Sequence, residues 1–271
     1  MAPVFEIIPE AIFFQQTNLI CEISSESFSY FFENDIEKKI YGLSVFYFNK
    51  DADISEQLKS IFNEQPLLSK TYKKVFISYS GAESILLPAE LYKADGNDQL
   101  LNMFYGDLCD RTIATDHLED KKIYNVYRMP AAIRHIIVNQ FPLASFAHQY
   151  SLLIKQSSLN SDLLKAIFYR DTFVAALLRG GELQIINIYL YQAATDVVYH
   201  LMNICQQFKM TDVPLGIGGM IEINSDMHKE IRHYIPNITF DELPPGYEFT
   251  NSLKKLPSHY FSHLFSIALC V

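Results

Sequence analysis

The stretch Leu164–Gly219, LKAIFYRDTFVAALLRGGELQIINIYLYQAATDVVYHLMNICQQFKMTDVPLGIGG, sets out its elements in an order that decides the fold. Leu164–Tyr169 reads as a strand, Arg170-Asp171 as a turn and Thr172–Arg179 as a second strand. Gly180-Gly181 is a two-residue hairpin signal, since the central positions of such turns favour positive φ. Glu182–Leu190 returns as a third strand, alternating Leu183 and Ile185 against Gln184 before it turns fully apolar. A helix opens at Ala194 or Thr195 and runs to Phe208, with Val198, Leu201, Met202, Cys205 and Phe208 on one face. Val213–Ile217 is a fourth strand, closed by Gly218-Gly219.

The same order occurs earlier, over Asn18–Ser80. Asn18–Ser24 and Ser27–Glu33 are strands joined at Ser25-Glu26, and Ile40–Phe48 is a third after the polar turn Asn34–Lys39. Asp53 stands as a helix N-cap with Glu56 three residues on, and Ile54, Leu58, Ile61 and Phe62 form an apolar stripe. Lys74–Tyr79 is the fourth strand, stopped by Ser80-Gly81. A three-stranded meander, a crossover helix and a strand parallel to the first is the ribonuclease-H-like plan. Two copies in one chain predict an α/β protein with the duplicated, actin-like ATPase fold: two lobes, each with a mixed five-stranded sheet.

The residues between the copies read as a Leu87-Pro88 segment, a helix over Asp98–Tyr105, a strand over Ile123–Tyr127, a helix over Ala131–Gln140 and a strand over Ala144–Tyr150. After the second copy comes a helix capped by Asn224 or Ser225, carrying Met227, Ile231 and Tyr234 and ended by Pro236. Pro244–Pro257 reads as a Pro-rich loop, with Ser258 capping a C-terminal packing helix. The expected domains are 1–155, with an inserted subdomain at about 84–142, and 156–271.

Composition narrows the function. Hydrophobic residues are 49% of 271, enough for a sizeable core and too many for global disorder. The net charge is −9 and no basic run exceeds two residues, so the stripe that neutralises nucleic-acid phosphates is missing. Nucleic acid is therefore not expected as a partner. Cys21, Cys109, Cys205 and Cys270 are scattered, which reads as reduced, mostly buried thiols. Met1–Phe14 lacks the basic start and cleavage site of a secretory signal, and no apolar run nears the ~20 residues that span a bilayer. A cytoplasmic, soluble protein is the expectation.

The block Ile85-Leu86-Leu87-Pro88, Asp98–Tyr105 and Tyr124–Val138 is similar to the inserted subdomain of pilus-assembly and secretion actin-like proteins, the PilM and GspL type. In length and element order the whole chain resembles an uncharacterised bacterial family with the actin-like ATPase fold. In actin-like ATPases an Asp-x-Gly loop between the first two strands holds Mg²⁺ and β-phosphate; the matching place here is Glu22-Ile23-Ser24-Ser25, with an acid but no glycine. A second loop, Asp-x-Gly-Gly-Gly in that superfamily, is matched by Tyr169-Arg170-Asp171-Thr172. Glycines there let backbone N–H groups approach phosphate with no Cβ between. The third motif, Leu215-Gly216-Ile217-Gly218-Gly219-Met220, matches the adenosine-binding Gly-Gly turn, and reads equally as a tight strand-to-helix turn.

The resemblance thus implies a non-catalytic scaffold or adaptor with a degenerate nucleotide cleft, no cofactor, and a protein partner, a homodimer being one form that could take. The alternative is an active nucleotide-binding ATPase or kinase using ATP with Mg²⁺. Glu22, Ser24, Asp171, Thr172, Gly216, Gly218 and Gly219 would then touch the nucleotide. No catalytic residue and no metal set stands out. His259 and His263 have zinc-like i, i+4 spacing but no third ligand, and read as solvent-facing or core-edge residues. Ser78 lacks the flanking glycine of a nucleophile elbow, and Asp241-Glu242 reads as a solvated loop pair.

Overall fold

A computed structural model describes residues 1–9, 11–156 and 162–271. The chain divides into two compact units. The first comprises Met1–Lys155, Gly246–Leu253 and Val271, the second Gln156–Pro245 and Lys254–Cys270. The residues just past the expected boundary, 157–161, lie outside the described residues.

The first unit opens with β1 (Phe5–Ile7), β2 (Asn18–Ser24), β3 (Ser27–Asn34) and β4 (Lys39–Tyr47). The helix α1 (Ile54–Glu64) and β5 (Lys74–Ser80) follow. β6 (Ser84–Pro88), α2 (Asn97–Tyr105), β7 (Arg111–Leu118), β8 (Ile123–Pro130) and α3 (Ala131–Gln140) lead to β9 (Ser145–His148) and α4 (Gln149–Gln156). The second unit holds β10 (Leu163–Phe168), β11 (Thr172–Arg179), β12 (Glu182–Leu190), α5 (Ala194–Gln207), β13 (Leu215–Gly219), α6 (Asp226–Tyr234) and β14 (Ile238–Phe240). Last come β15 (Glu248–Phe249) and two short helices, α7 (Asn251–Lys254) and α8 (Ser262–Phe265).

Both large sheets share one order. In the first unit β4-β3-β2 is an antiparallel meander continued by β5 and β9, both parallel to the strand beside them. In the second, β12-β11-β10 is the meander and β13 and β14 are the parallel additions. Among the described residues the second sheet has the expected five strands, but the first has seven. β1 pairs antiparallel with β4 at Leu43–Val45, and β15 pairs parallel with it at Lys39–Ile40. The sequence hides β15 because it is two residues long and lies within a Pro-rich stretch. Its place is held by long-range polar contacts: Glu248 N–H donates to Lys38 O (2.7 Å), and Tyr247 O–H donates to Glu33 Oε1 (2.7 Å).

Local chemistry explains the helices. Asp53 Oδ1 accepts from Glu56 N–H (3.0 Å) to start α1, whose Leu58, Ile61 and Phe62 are buried. At α5 the cap comes from within: Asp196 Oδ2 reaches back to accept from Gln192 N–H (2.9 Å) and Ala193 N–H (3.0 Å). Its inward face is Val197, Val198, Leu201, Ile204 and Cys205; Met202, expected there, is exposed. Ser225 Oγ caps α6 by accepting from His228 N–H (3.2 Å). Ser258 caps nothing, because its hydroxyl donates to Asp241 O (3.0 Å) and α8 starts only at Ser262. Gly180 and Gly181, at φ +57° and +81°, make the β11–β12 turn.

The two cores are filled differently. Phe28, Tyr30, Phe32, Phe46, Phe48, Phe62 and Phe141 dominate the first beneath α1 and α3. The second, beneath α5 and α6, is mostly aliphatic: Leu164, Leu177, Val197, Leu201, Leu215, Ile217 and Ile231 around Phe168 and Phe173. β6, β8 and β7 form a separate three-stranded sheet; the sequence reading found only β8 of these. Its fully buried Arg128 donates to Glu83 Oε2 (3.0 Å), Asn102 Oδ1 (2.8 Å) and Gly106 O (3.1 Å). From the same sheet, Asp116 Oδ2 accepts from His148 N–H (2.7 Å), tying β7 to the end of β9.

Candidate functional site

Of the residues expected to contact nucleotide, Ser24, Asp171, Thr172, Gly218 and Gly219 lie at or beside strand ends, whereas Glu22 and Gly216 lie within β2 and β13. In the first unit Ser24 ends β2. Its Oγ accepts from Glu26 N–H and Ser27 N–H, both at 3.0 Å, and lies 3.1 Å from Ser27 Oγ. The amides of Glu26 and Ser27 in this turn are thus engaged by the Ser24 side chain. Glu22 is buried on β2, in register with Ser29 of β3 and Ser78 of β5.

In the second unit the β10–β11 turn closes with Tyr169 N–H donating to Thr172 O (2.9 Å). Arg170 Nε donates to Asp171 Oδ2 (2.8 Å), an ion pair between sequence neighbours. Tyr191 O–H donates to Tyr169 O (2.8 Å) and Arg170 O (3.2 Å), while Tyr191 N–H donates to Asp171 O (3.0 Å). Tyr191, unnoticed in the sequence, is the clamp of this turn.

The glycines end β13, inside the strand rather than after it. Gly219 has φ +87°, and a Cβ there would overlap the Phe168 carbonyl oxygen and lie 2.6 Å from the Phe168 nitrogen. Met220 N–H donates to that carbonyl (3.2 Å), and Gly219 N–H donates to His259 O (2.8 Å). Above Gly218 sits Asp241: a Cβ there would overlap its Oδ2 and lie 3.3 Å from its Cγ. Gly216 is ordinary, its nearest would-be contacts being Leu163 and Lys165 at 3.5 Å.

Asp241 corrects the sequence reading. It follows β14 directly and is held inward: its carboxylate pairs with the Lys165 ammonium and accepts from Ser262 Oγ (3.2 Å), and its N–H donates to Ile217 O (2.8 Å). The signal that could have found it is Lys165 itself, a cation inside the apolar run of β10, which demands a carboxylate nearby. Glu22 and Ser24 thus lie in the first unit, and Asp171, Thr172, Gly216, Gly218 and Gly219 in the second.

The histidines are inward as well. His259 is buried and its Nε2 donates to Ile221 O (2.8 Å), so it is no solvent-facing residue. His263 packs edge-on to Tyr169 (5.2 Å), and burial, with help from the Lys165 charge, pulls its pKa down to about 3. Among the described residues no group of three or more His, Cys, Asp or Glu is placed to hold a metal ion. Of the cysteines expected to be mostly buried, Cys21 and Cys205 are buried, Cys270 is partly buried and Cys109 is exposed. Among the described residues no helix is long and apolar enough to cross a membrane.

Comparison with solved structures establishes the fold. A Bacteroides thetaiotaomicron protein with an actin-like ATPase fold and unknown function aligns with a TM-score of 0.80 at 19% identity, over 96% of this chain and 100% of that one. The PilM–PilN type IV pilus biogenesis complex supplies a second match, with TM-score 0.62 and 9% identity over 93% and 98% of the two chains. The ethanolamine utilization protein EutJ from Carboxydothermus hydrogenoformans is a third, at 0.50 and 8% over 93% and 89%. No curated protein matches the chain. The fold is actin-like, as the duplicated strand order implied, and the resemblance to PilM is borne out. Residues 11–238 match one family along most of the chain, and the protein belongs to it: the family described as protein of unknown function, DUF3822.

Proposed function

We propose that this chain is an actin-like module that works without hydrolysing nucleotide, as a cytoplasmic scaffold or adaptor acting through protein partners. The observation that carries this reading is the state of the Ser24 turn: its amides already have an acceptor of their own, Ser24 Oγ, so a phosphate would have to displace it. The Asp241 carboxylate over Gly218 supports it, because it fills the bare face of the glycine that the matching motif offers to adenosine. The fold neighbour PilM, found in the PilM–PilN type IV pilus biogenesis complex, supports the choice of a protein as the partner proposed here.

Thermal melting of the full chain with and without millimolar Mg-ATP tests the reading. A ligand at a hundredfold excess over Kd adds about 2.7 kcal/mol and would raise Tm by about 5 °C or more. No shift is expected. A rise that disappears in Asp171→Ala, with no loss of that variant's own Tm, would establish the ATPase or kinase reading instead. Gly218→Val is unsuitable as the control, because its side chain would collide with Asp241 whether or not nucleotide binds.

A further inference from the structure

Helix α2 of the inserted three-stranded sheet is apolar on two sides. Its inward side is accounted for: Leu101 is fully buried, Asn97 Nδ2 donates to Thr115 Oγ1 (3.3 Å), Asn102 Oδ1 accepts from Arg128, and Tyr105 O–H donates to Ser84 O (2.8 Å). Leu100, Met103 and Phe104, at i, i+3 and i+4, share a different arc of the helix. Met103 is 73% exposed and Phe104 61%, with Leu100 half-buried beside them. Leu91 and Leu108, in the segments flanking the helix, are exposed too. A Met and a Phe side by side on open helix surface are the residue types that concentrate in the buried centres of protein interfaces.

The charge around this arc is one-sided. Across Glu90–Asp110 five exposed carboxylates, Glu90, Asp95, Asp98, Asp107 and Asp110, stand against one cation, Lys93. The nearest following cation, Arg111, is taken by Glu83 (3.7 Å). An apolar strip set in so acidic a segment suits a partner with the converse pattern. We infer that the Leu100/Met103/Phe104 arc of α2 docks a cationic amphipathic helix of a partner protein. The partner's apolar face covers Met103 and Phe104, and its Lys and Arg residues meet the carboxylates of the flanking segments, Asp95, Asp107 and Asp110. The inference rests on the scaffold reading for the existence of a partner, and adds where that partner binds and what it is made of. A second copy of this chain fits less well, since it would set five carboxylates against five more.

The test uses the full chain and a synthetic Leu/Lys amphipathic peptide of about 18 residues, long enough to form helix on binding, with a Leu/Glu peptide of the same pattern as control. Binding of the Leu/Lys peptide alone is expected, with affinity falling several-fold as salt is raised from about 50 to 500 mM. Met103→Ser with Phe104→Ser, both at exposed positions and so leaving Tm unchanged, should weaken it by about tenfold. Asp95→Lys with Asp107→Lys should turn the preference toward the Leu/Glu peptide. Equal binding of both peptides, no binding, or binding indifferent to the Met103/Phe104 variant would overturn the inference. So would a dimer in sedimentation that the same variant dissolves, which would make a second copy the occupant. None of these outcomes involves ATP, so failure here leaves the Mg-ATP melt to judge the scaffold reading separately.

Discussion

The final paired residue of the crossover strand is Ser80 in the first unit and Gly219 in the second. Ser80 lies across from Ser24, and Gly219 across from Phe168, so the two positions are topologically the same. Ser80 carries a side chain comfortably, its Oγ donating to Gln149 Oε1 (2.6 Å). Gly219 cannot, because its φ is +87° and the Phe168 backbone lies where a Cβ would go. The topology alone therefore does not demand glycine here; the local approach of two backbone segments does. A glycine pair matching a nucleotide motif is explained in this chain by how tightly its own strands end.

That contrast is broken most forcefully at Gly219. Gly219→Ala combines a disfavoured φ with overlap against backbone atoms that have no rotamer to change, and should destabilise by about 4 kcal/mol or more. Ser80→Ala removes one hydrogen bond and should cost about 1 kcal/mol. Urea denaturation of both variants measures the gap. Equal, small losses would mean that β13 can relax away from Phe168 and that the glycine has another reason to be there.

Each unit also holds a histidine whose pKa burial pulls far down, and here the comparison can be sharpened with pH. His148 donates from Nε2 to Gly81 O (2.9 Å) and accepts at Nδ1 from Tyr150 N–H (3.1 Å). Burial drags its pKa from 6.5 to about 3. His263 is shifted to about 3 as well, yet its buried Nδ1 has no hydrogen-bond partner among the described residues. Both rings are neutral when folded, while the unfolded chain protonates them below pH 6.5. The stability they contribute is complete above that pH and is lost as pH falls from 6.5 toward 3. At pH 5 the loss should be about 2 kcal/mol for His148 and no more for His263. At neutral pH, His148→Leu strands a carbonyl and an amide and should cost about 2 to 3 kcal/mol, whereas His263→Leu should be neutral or stabilising. Both variants should flatten the acid limb of a stability–pH curve; a limb unchanged by either would rule out these rings as its source.

The two strand-to-strand turns differ by a smaller amount. Ser24→Ala exposes the Glu26 and Ser27 amides, and Tyr191→Phe releases the Tyr169 and Arg170 carbonyls. Each should destabilise by about 1 kcal/mol, with Ser24 the costlier because buried donors tolerate loss less well than carbonyls. If Ser24→Ala alone also gains an ATP-dependent Tm rise, its hydroxyl is what excludes phosphate.

How much of this was legible follows from where the information lies. Asp53 and Ser225 were readable as caps because capping is settled within three residues. Gly180-Gly181 was readable because a two-residue turn has its own φ requirement. β15, β7 and Asp241 were not, since each is defined by a partner far along the chain: β15 by Lys38 and Glu33, β7 by β8, and Asp241 by Lys165. Met202 misled because a helical stripe of apolar residues shows a face but not its width. For the candidate site, the missing glycines were plain in the sequence, whereas the groups that engage its turns, the Ser24 hydroxyl, Tyr191 and Asp241, are visible only once the strands are paired.

The gentlest test lies at Gly216, which the nucleotide reading groups with Gly218 and Gly219. It sits mid-strand in β13 with ordinary backbone, and an added Cβ would meet only Leu163 Cδ1 and Lys165 Cδ at 3.5 Å. Those are van der Waals contacts with side-chain carbons that can yield. Gly216→Ala also removes unfolded-state freedom and supplies a side chain to a strand, both mildly favourable. The expected change is within about 0.5 kcal/mol of zero, in either direction. If instead the loss approaches that of Gly219→Ala, the three glycines act as one rigid unit and the strand end is held by more than the Phe168 contact. If Gly216→Ala is neutral, the requirement for bare backbone is confined to the last two residues of β13, where Asp241 and Phe168 supply the reason for it.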